Sequence, residues 1–226
     1  MRGRQLLPIR QNIQMIFQDP MESLNSRHTV GDILEEPFIV QKIGDSASRT
    51  KRVSELLDIV GLPARSVSRY PFEFSGGMRQ RVVIAMALVC HPQVLICDEP
   101  TTALDVTIQA EILTLIRDLQ RELGNSVLYI THDLGVVAQL ADHVVVMYQG
   151  RVLEIGTVRQ VLKSPLHPYT QGLLAAIPGL ARSGERLATI ASVVGDEDIT
   201  TPYRLIKLSD GRQVSLPMDR IPERYR

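Results

Sequence analysis

Two stretches carry side chains whose types and spacing could do chemistry. Phe74-Ser-Gly-Gly-Met-Arg-Gln-Arg81 sets a serine and two glycines before an amphipathic helix bearing Arg79, Gln80 and Arg81. A serine there can cap the helix, and glycines let backbone N–H groups approach a ligand closely. The helix N-terminus itself favours an anion such as phosphate. A short helix later, Val94-Leu-Ile-Cys-Asp-Glu-Pro100 runs as an apolar strand into two adjacent carboxylates, Asp98 and Glu99. Open α/β sheets place ligands at the ends of such strands. One carboxylate to hold a magnesium ion through its hydration shell, with a neighbour to polarise water, is what nucleotide hydrolysis requires.

Three further stretches fit that chemistry in order and spacing. Ile13-Gln-Met-Ile-Phe-Gln18 reads as a strand leading to a glutamine, and Thr101-Thr-Ala-Leu-Asp105 follows the carboxylates directly. Tyr129-Ile-Thr-His-Asp133 places His132 just after a strand, where its imidazole can hydrogen-bond a phosphate oxygen. Together the five stretches resemble the Q-loop, signature, Walker B, D-loop and switch-histidine regions of an ABC-type ATPase, and the resemblance continues to about Leu187. It implies a P-loop NTPase-like α/β core, a mostly parallel sheet covered by helices, with a helical subdomain. The cofactors implied are ATP and Mg²⁺. Asp98 and Gln18 would hold the ion, and Glu99 and His132 would act in catalysis. Ser75, Gly76, Gly77, Gln80 and Asp105 would join Gln18 and Asp98 in nucleotide binding. The Ser-Gly-Gly group would complete the site of an opposite subunit, so that the active unit is a head-to-tail homo- or heterodimer.

Finer details resemble the ATP-binding subunits of peptide and nickel importers. They are Phe17-Gln-Asp-Pro-Met-Glu-Ser-Leu-Asn25, Tyr70-Pro-Phe-Glu73, Thr101-Thr-Ala-Leu-Asp-Val-Thr107 and Ser164-Pro-Leu-His-Pro-Tyr-Thr170. This resemblance implies integral membrane permease subunits as partners and, indirectly, a substrate-binding protein. It also implies a peripheral position on the cytoplasmic face of the inner membrane. Many members of that branch carry a cysteine-rich tail, but no cysteine follows Cys97 here. The rival class, soluble ABC ATPases acting on ribosomes or DNA, usually has a basic face or a long insertion. With 25 basic and 25 acidic residues the net charge is zero, and no nucleic-acid partner is expected.

One element of the pattern is missing. A complete ATP site needs Gly-x-x-x-x-Gly-Lys-Ser/Thr, whose amides cradle phosphates while the lysine reaches the β/γ oxygens. The only lysines are at positions 42, 51, 163 and 207, and none follows a glycine. A truncated gene or misplaced start, one half of a split domain, and a degenerate subunit serving an intact partner's site all account for this. In each case the chain alone is expected to bind ATP weakly and not to turn it over.

The remaining residues must position these groups. An apolar content of 44% and a charged content of 22% suit a globular protein. No run of 18 apolar residues is present to span a membrane, and the N-terminus lacks the apolar stretch of a secretory signal. Cys90 and Cys97 read as buried thiols in a reducing, cytosolic setting, and the five histidines never pair at metal-ligand spacing. Residues 10–18 read as a strand. Helices are expected over Thr29–Val40, which Pro37 should end or kink, and over Ser46–Val60, capped by Gly61. From Gly76 helices and strands alternate, with 127–130 and 142–148 as continuous apolar strands of a helix-covered parallel sheet. Gln149-Gly150-Arg151 reads as a hairpin turn, and Ser209-Asp-Gly-Arg212 as a second hairpin or part of a loosely attached tail. The expected organisation is core to residue 18, helical subdomain 19–74, core 75–163, family extension 164–187 and tail 188–226.

Overall fold

Three short runs rich in β-branched residues build a parallel sheet, ordered β1 (Ile13–Ile16), β2 (Val94–Asp98), β3 (Ser126–Ile130). The protein is described by a computed structural model covering residues 3–176 and 203–217, and it divides into two compact units at Asp133/Leu134. In the first unit the register aligns Ile16 with Cys97 and Cys97 with Tyr129, so these side chains share one face. That face belongs to the main buried cluster, in which Ile16 and Cys97 are fully buried. Burial pushes the Cys97 thiol up to about 12, so it stays an inert, protonated packing group. The opposite face carries Ile13, Met15, Ile96, Leu128 and Ile130. Leu128 is 54% exposed and Ile130 45%. The expected covering on both faces is therefore absent from this one among the described residues.

The strand at the N-terminal end is shorter than the sequence suggests. Residues 10–12 belong to α1 (Gly3–Asn12), and β1 begins only at Ile13. Arg10, Gln11 and Asn12 offer no apolar alternation, and Arg10 in the last turn suits a helix C-terminus.

Between β1 and β2 the chain is helical. Asp19 caps α2 (Pro20–Ser23) by accepting the Met21 N–H at 2.7 Å. In α3 (Val30–Gln41), Thr29 and Asp32 form a reciprocal capping box. Pro37 does not end this helix. It removes one donor, the bond to the Ile33 carbonyl, but Val30, Ile33, Leu34 and Phe38 are all buried and hold the helix through to Gln41. α4 (Ser46–Ile59) starts at a second box formed by Asp45 and Ser48, and Gly61 follows its end at φ 69°. Leu56 and Leu57 are wholly buried, each contributing about 1.5–3 kcal/mol relative to exposure. Two 3-10 turns, Ala64–Ser68 and Pro71–Glu73, lead to α5 (Gly76–Leu88), and α6 (Val106–Leu123) joins β2 to β3.

The second unit contains α7 (Leu134–Leu140), β4 (His143–Tyr148), β5 (Arg151–Thr157), α8 (Val158–Lys163), α9 (Pro168–Ala175), β6 (Tyr203–Lys207) and β7 (Gln213–Pro217). Its sheet is antiparallel, in the order β4-β5-β7-β6. This corrects the expectation that β4 lies in a covered parallel sheet. Val144 and Val146 point inward while Val145 and Met147 are about half exposed, as a one-sided antiparallel strand requires. Gln149 and Gly150 both have positive φ, the conformation of a tight two-residue hairpin turn. The hairpin of β6 and β7 is present, and it is not loosely attached. β7 pairs with β5, and the Arg212 guanidinium donates to the Ser164 carbonyl at 2.8 Å. The remaining expected tail, 188–202 and 218–226, and the end of the family extension lie outside the described residues.

Candidate functional site

The candidate groups of the first unit fall into two clusters, linked by the loop Pro100–Asp105. The first is centred on Glu99. Strand β2 ends at Asp98, and Glu99 leaves it with φ 44°, a left-handed conformation that costs a non-glycine residue about 1–3 kcal/mol. Its N–H still bonds the Ile130 carbonyl at 2.9 Å, continuing the pairing with β3. The Thr102 N–H then returns to the Glu99 carbonyl at 3.3 Å, closing a four-residue turn with Pro100 in its favoured second place.

Around the Glu99 carboxylate three side chains converge. His132 Nδ1 lies 2.9 Å from Oε1, while Gln18 Nε2 and Thr102 Oγ1 donate to Oε2 at 3.2 and 2.9 Å. Gln18, Glu99 and His132, widely separated in sequence, are thus brought together. The hydrogen bond from His132, then that from Thr102, holds the Glu99 carboxyl below its usual range. The hydrogen bond to Glu99, then its charge, raises His132. A raised histidine stabilises fully below its ordinary value and loses this as pH rises through the raised one. A lowered carboxylate stabilises above its ordinary value and loses this as pH falls through the lowered one. The pair is therefore fully formed from above the ordinary carboxylate range up to the ordinary histidine range. Because the His132 side chain is 73% exposed, solvent screens the interaction.

Asp98 is half-buried beside this cluster and lines a cleft of about 950 Å³ with Phe17, Gln18, Asp19, Glu22 and Thr102. The donor set is hard oxygen, which suits Mg²⁺. Among the described residues no three His, Cys, Asp or Glu side chains converge into a metal-binding group. An ion at Asp98 must then take most of its ligands from water and phosphate, the habit of Mg²⁺.

The second cluster is the start of α5. Ser75 caps it, with the Met78 N–H 3.4 Å from its hydroxyl, and the amides of Gly76 and Gly77 are among the first-turn donors that helix geometry leaves without a partner. Close packing requires the glycines here as much as ligand approach does. A Cβ on Gly77 would sit 2.5 Å from Ile108 Cγ2 in α6, and one on Gly76 would sit 3.3 Å from Leu104. Asp105 caps α6 by accepting the Ile108 N–H at 3.0 Å. Among the described residues no hydrogen bond joins Ser75, Gly76 or Gly77 to Gln18, Glu99 or His132. We expect Gly77→Ala to destabilise the first unit by about 1–3 kcal/mol, the usual cost of overpacking. Gly76→Ala should cost less, and urea unfolding of the two variants provides the comparison.

Gln80, which the sequence resemblance counts among nucleotide-contacting residues, is 0% exposed, and its amide has no hydrogen-bond partner among the described residues. It lies on the inward side of α5 with Val83, Ile84 and Ala87. Conversely, the sequence reading does not single out Thr102 as a site residue. The available signal is a hydroxyl two residues after the proline that follows the second carboxylate.

A parallel α/β sheet whose strand ends gather glutamine, glutamate and histidine, in one unit with a serine-capped glycine helix, has the architecture of an α/β nucleotide-binding fold. Comparison narrows it. The family model described as ABC transporter matches residues 1–102, and that described as Oligopeptide/dipeptide transporter, C-terminal region, matches 153–200. The chain is 52% identical to the oligopeptide transport ATP-binding protein OppD of Bacillus subtilis over 213 residues, 88% of this chain and 59% of that protein. It is 54% identical to the dipeptide transport ATP-binding protein DppD of the same organism, over 79% of this chain and 54% of that protein. A solved dimeric ATP-binding cassette, MJ0796 in a post-hydrolysis state with ADP and Pi, aligns at TM-score 0.61 and 31% identity, covering 70% of this chain and 68% of that one. Clostridium perfringens cbiO1, part of an ABC transporter complex, aligns at TM-score 0.65 and 32% identity, covering 72% and 64%. This chain belongs to the ABC transporter ATP-binding family, and it spans 54–59% of the length of these two curated relatives.

Proposed function

We propose that the chain acts as an ATP-binding subunit of a peptide importer, coupling Mg-ATP binding and hydrolysis at a dimer interface to movement of membrane permease subunits. The single observation that carries this reading is the Glu99 carboxylate held jointly by Gln18 and His132. That is the constellation needed to orient a water against a phosphate. Glu99 would take the proton of the attacking water, His132 would hydrogen-bond a γ-phosphate oxygen, and Gln18 and Asp98 would hold the hydrated ion. The ion, when bound, supplies charge neutralisation at the phosphates. Ser75, Gly76 and Gly77 present their helix N-terminus to the nucleotide of an opposing subunit, with Asp105 beside them at the interface. The relatives above are named for oligopeptides and dipeptides. Nickel, which the sequence resemblance also allows, is not among their names.

The 226 residues contain no Gly-x-x-x-x-Gly-Lys-Ser/Thr segment, so the reading takes a second form. The chain would work in a composite site whose phosphate loop comes from another segment or subunit, at the cytoplasmic face of the membrane. Among the described residues no helix is long and apolar enough to cross a membrane.

Calorimetry with Mg-ATP, on the chain alone and after adding an intact partner ATP-binding subunit, tests the reading. Binding only in the presence of the partner is the expected result. Tight binding by the chain alone would show that its site is built differently. No binding in either case would remove the ATPase role from this chain.

A further inference from the structure

The loop after β2 holds a side chain whose placement goes beyond the catalytic pair. Glu99 leaves the strand in a left-handed conformation, and the turn from Glu99 to Thr102 brings the Thr102 side chain back over the carboxylate. There Thr102 Oγ1 donates to Oε2 at 2.9 Å, shorter than the 3.2 Å contact from Gln18 to the same oxygen. His132 takes the other oxygen. A glutamate on an exposed loop has three free torsions, and a single partner at one oxygen would leave the carboxylate free to rotate. His132 and Gln18 put one donor on each oxygen, and Thr102 adds the shorter contact to Oε2 from a residue whose own N–H is tied to the Glu99 carbonyl.

We propose that Thr102 is a positioning residue for Glu99, locking the carboxylate plane so that one oxygen faces His132 while the other stays beside Gln18 and the cleft. The inference rests on the reading of Glu99 as the group that polarises water. Thr102 itself touches neither the water nor the nucleotide in this account. A threonine suits the task because its backbone N–H closes the turn onto the Glu99 carbonyl while its hydroxyl reaches the carboxylate, so one residue fixes both main chain and side chain. The β-branched Cβ narrows χ1 further.

The test uses the whole 226-residue chain without nucleotide, comparing wild type, Thr102→Val, Thr102→Ser and Glu99→Gln. The readout is the ¹⁵N spectrum of the His132 ring at one fixed pH, with the backbone amide spectrum as a check on the fold. Valine keeps the volume and loses the hydroxyl, and serine keeps the hydroxyl. Thr102→Val is expected to move the His132 ring signals toward those of Glu99→Gln, while Thr102→Ser stays with wild type. A Thr102→Val ring spectrum that coincides with wild type overturns the proposal, as does a serine variant that behaves like valine. If valine disturbs the amide spectrum broadly, Thr102→Ala against Thr102→Ser makes the same comparison. A second readout is hydrolysis by the chain assembled with an intact partner subunit and permease. There Thr102→Val should lower kcat on the order of tenfold with KM within about twofold, the mark of an interaction used in the transition state. Because the ring spectrum needs no nucleotide, a failure there leaves the transport reading intact. Absent hydrolysis in the wild-type assembly would count against the transport reading alone.

Discussion

Glu99→Gln, introduced into the chain and assembled with an intact partner subunit and permease, is expected to cut ATP turnover by about 10²–10⁴-fold, the usual contribution of a general base. Nucleotide binding should survive. The glutamine side chain still offers one oxygen as an acceptor, but its neutral amide can no longer take a proton from water, and it cannot hold His132 as a charged partner. Two features of the geometry make the prediction specific. Glu99 touches both Gln18 and His132, so its charge is what the other two are arranged around. Its backbone also adopts a left-handed conformation to place it there. Steady-state hydrolysis with nucleotide binding measured in parallel checks the outcome. A variant with near-wild-type turnover would move the role of base elsewhere.

Glu154→Ala should destabilise the second unit by about 3 kcal/mol or more, taking about 1–3 kcal/mol for each buried donor left unpaired. Glu154 sits in β5 with no exposed surface. Its two oxygens accept the backbone N–H groups of Leu166 and His167 at 2.9 and 3.0 Å. This carboxylate therefore fixes the start of Ser164-Pro-Leu-His-Pro-Tyr-Thr170 onto the sheet. His167 then caps α9 through Nδ1, which accepts the Tyr169 N–H at 3.0 Å, and the Tyr169 ring packs against Tyr148 at an interplanar angle of 33° with centroids 4.5 Å apart. Glu154→Gln should cost less than alanine but more than a surface change, since one amide oxygen remains to accept while the NH₂ group faces a second donor. Hydrogen exchange over residues 143–176 measures the loss where it should fall, and unchanged protection in the alanine variant would refute this role for the carboxylate.

Periodicity and end signals make much of the fold legible. The helix over Ser46–Val60 with Gly61 after it at φ 69°, and the hairpin at Gln149-Gly150, are local devices that the chain uses as the sequence suggests, the helix ending one residue early at Ile59. The gathering of Gln18, Glu99 and His132 is legible only through motif order, because no local rule brings residue 18 to residue 99. Other features depend on partners that a one-dimensional pattern does not contain. Apolar continuity misleads in β4, where a run such as Val144-Val145-Val146 looks the same whether a strand is covered on both sides or on one. Gln80 is polar yet buried, because the inward side of α5 overrides the preference of its amide for water. Gly77 reads as ligand access, whereas the proximity of Ile108 imposes a packing demand as well. Glu154 is held by the Leu166 and His167 amides, partners that come from a later loop and that no local pattern contains.

The bare side of the parallel sheet sets how the purified chain should be handled. Ile13, Leu128 and Ile130 lie there 43–54% exposed, and β3 is hydrogen-bonded only to β2 among the described strands. An exposed apolar face of this kind favours association, and the unpaired backbone of β3 is a template for adding further strands. Colloidal behaviour is then governed by concentration and by the zero net charge of the chain, since little long-range repulsion keeps two such edges apart. Light scattering is therefore expected to rise with concentration most steeply near neutral pH and to fall as the net charge moves from zero.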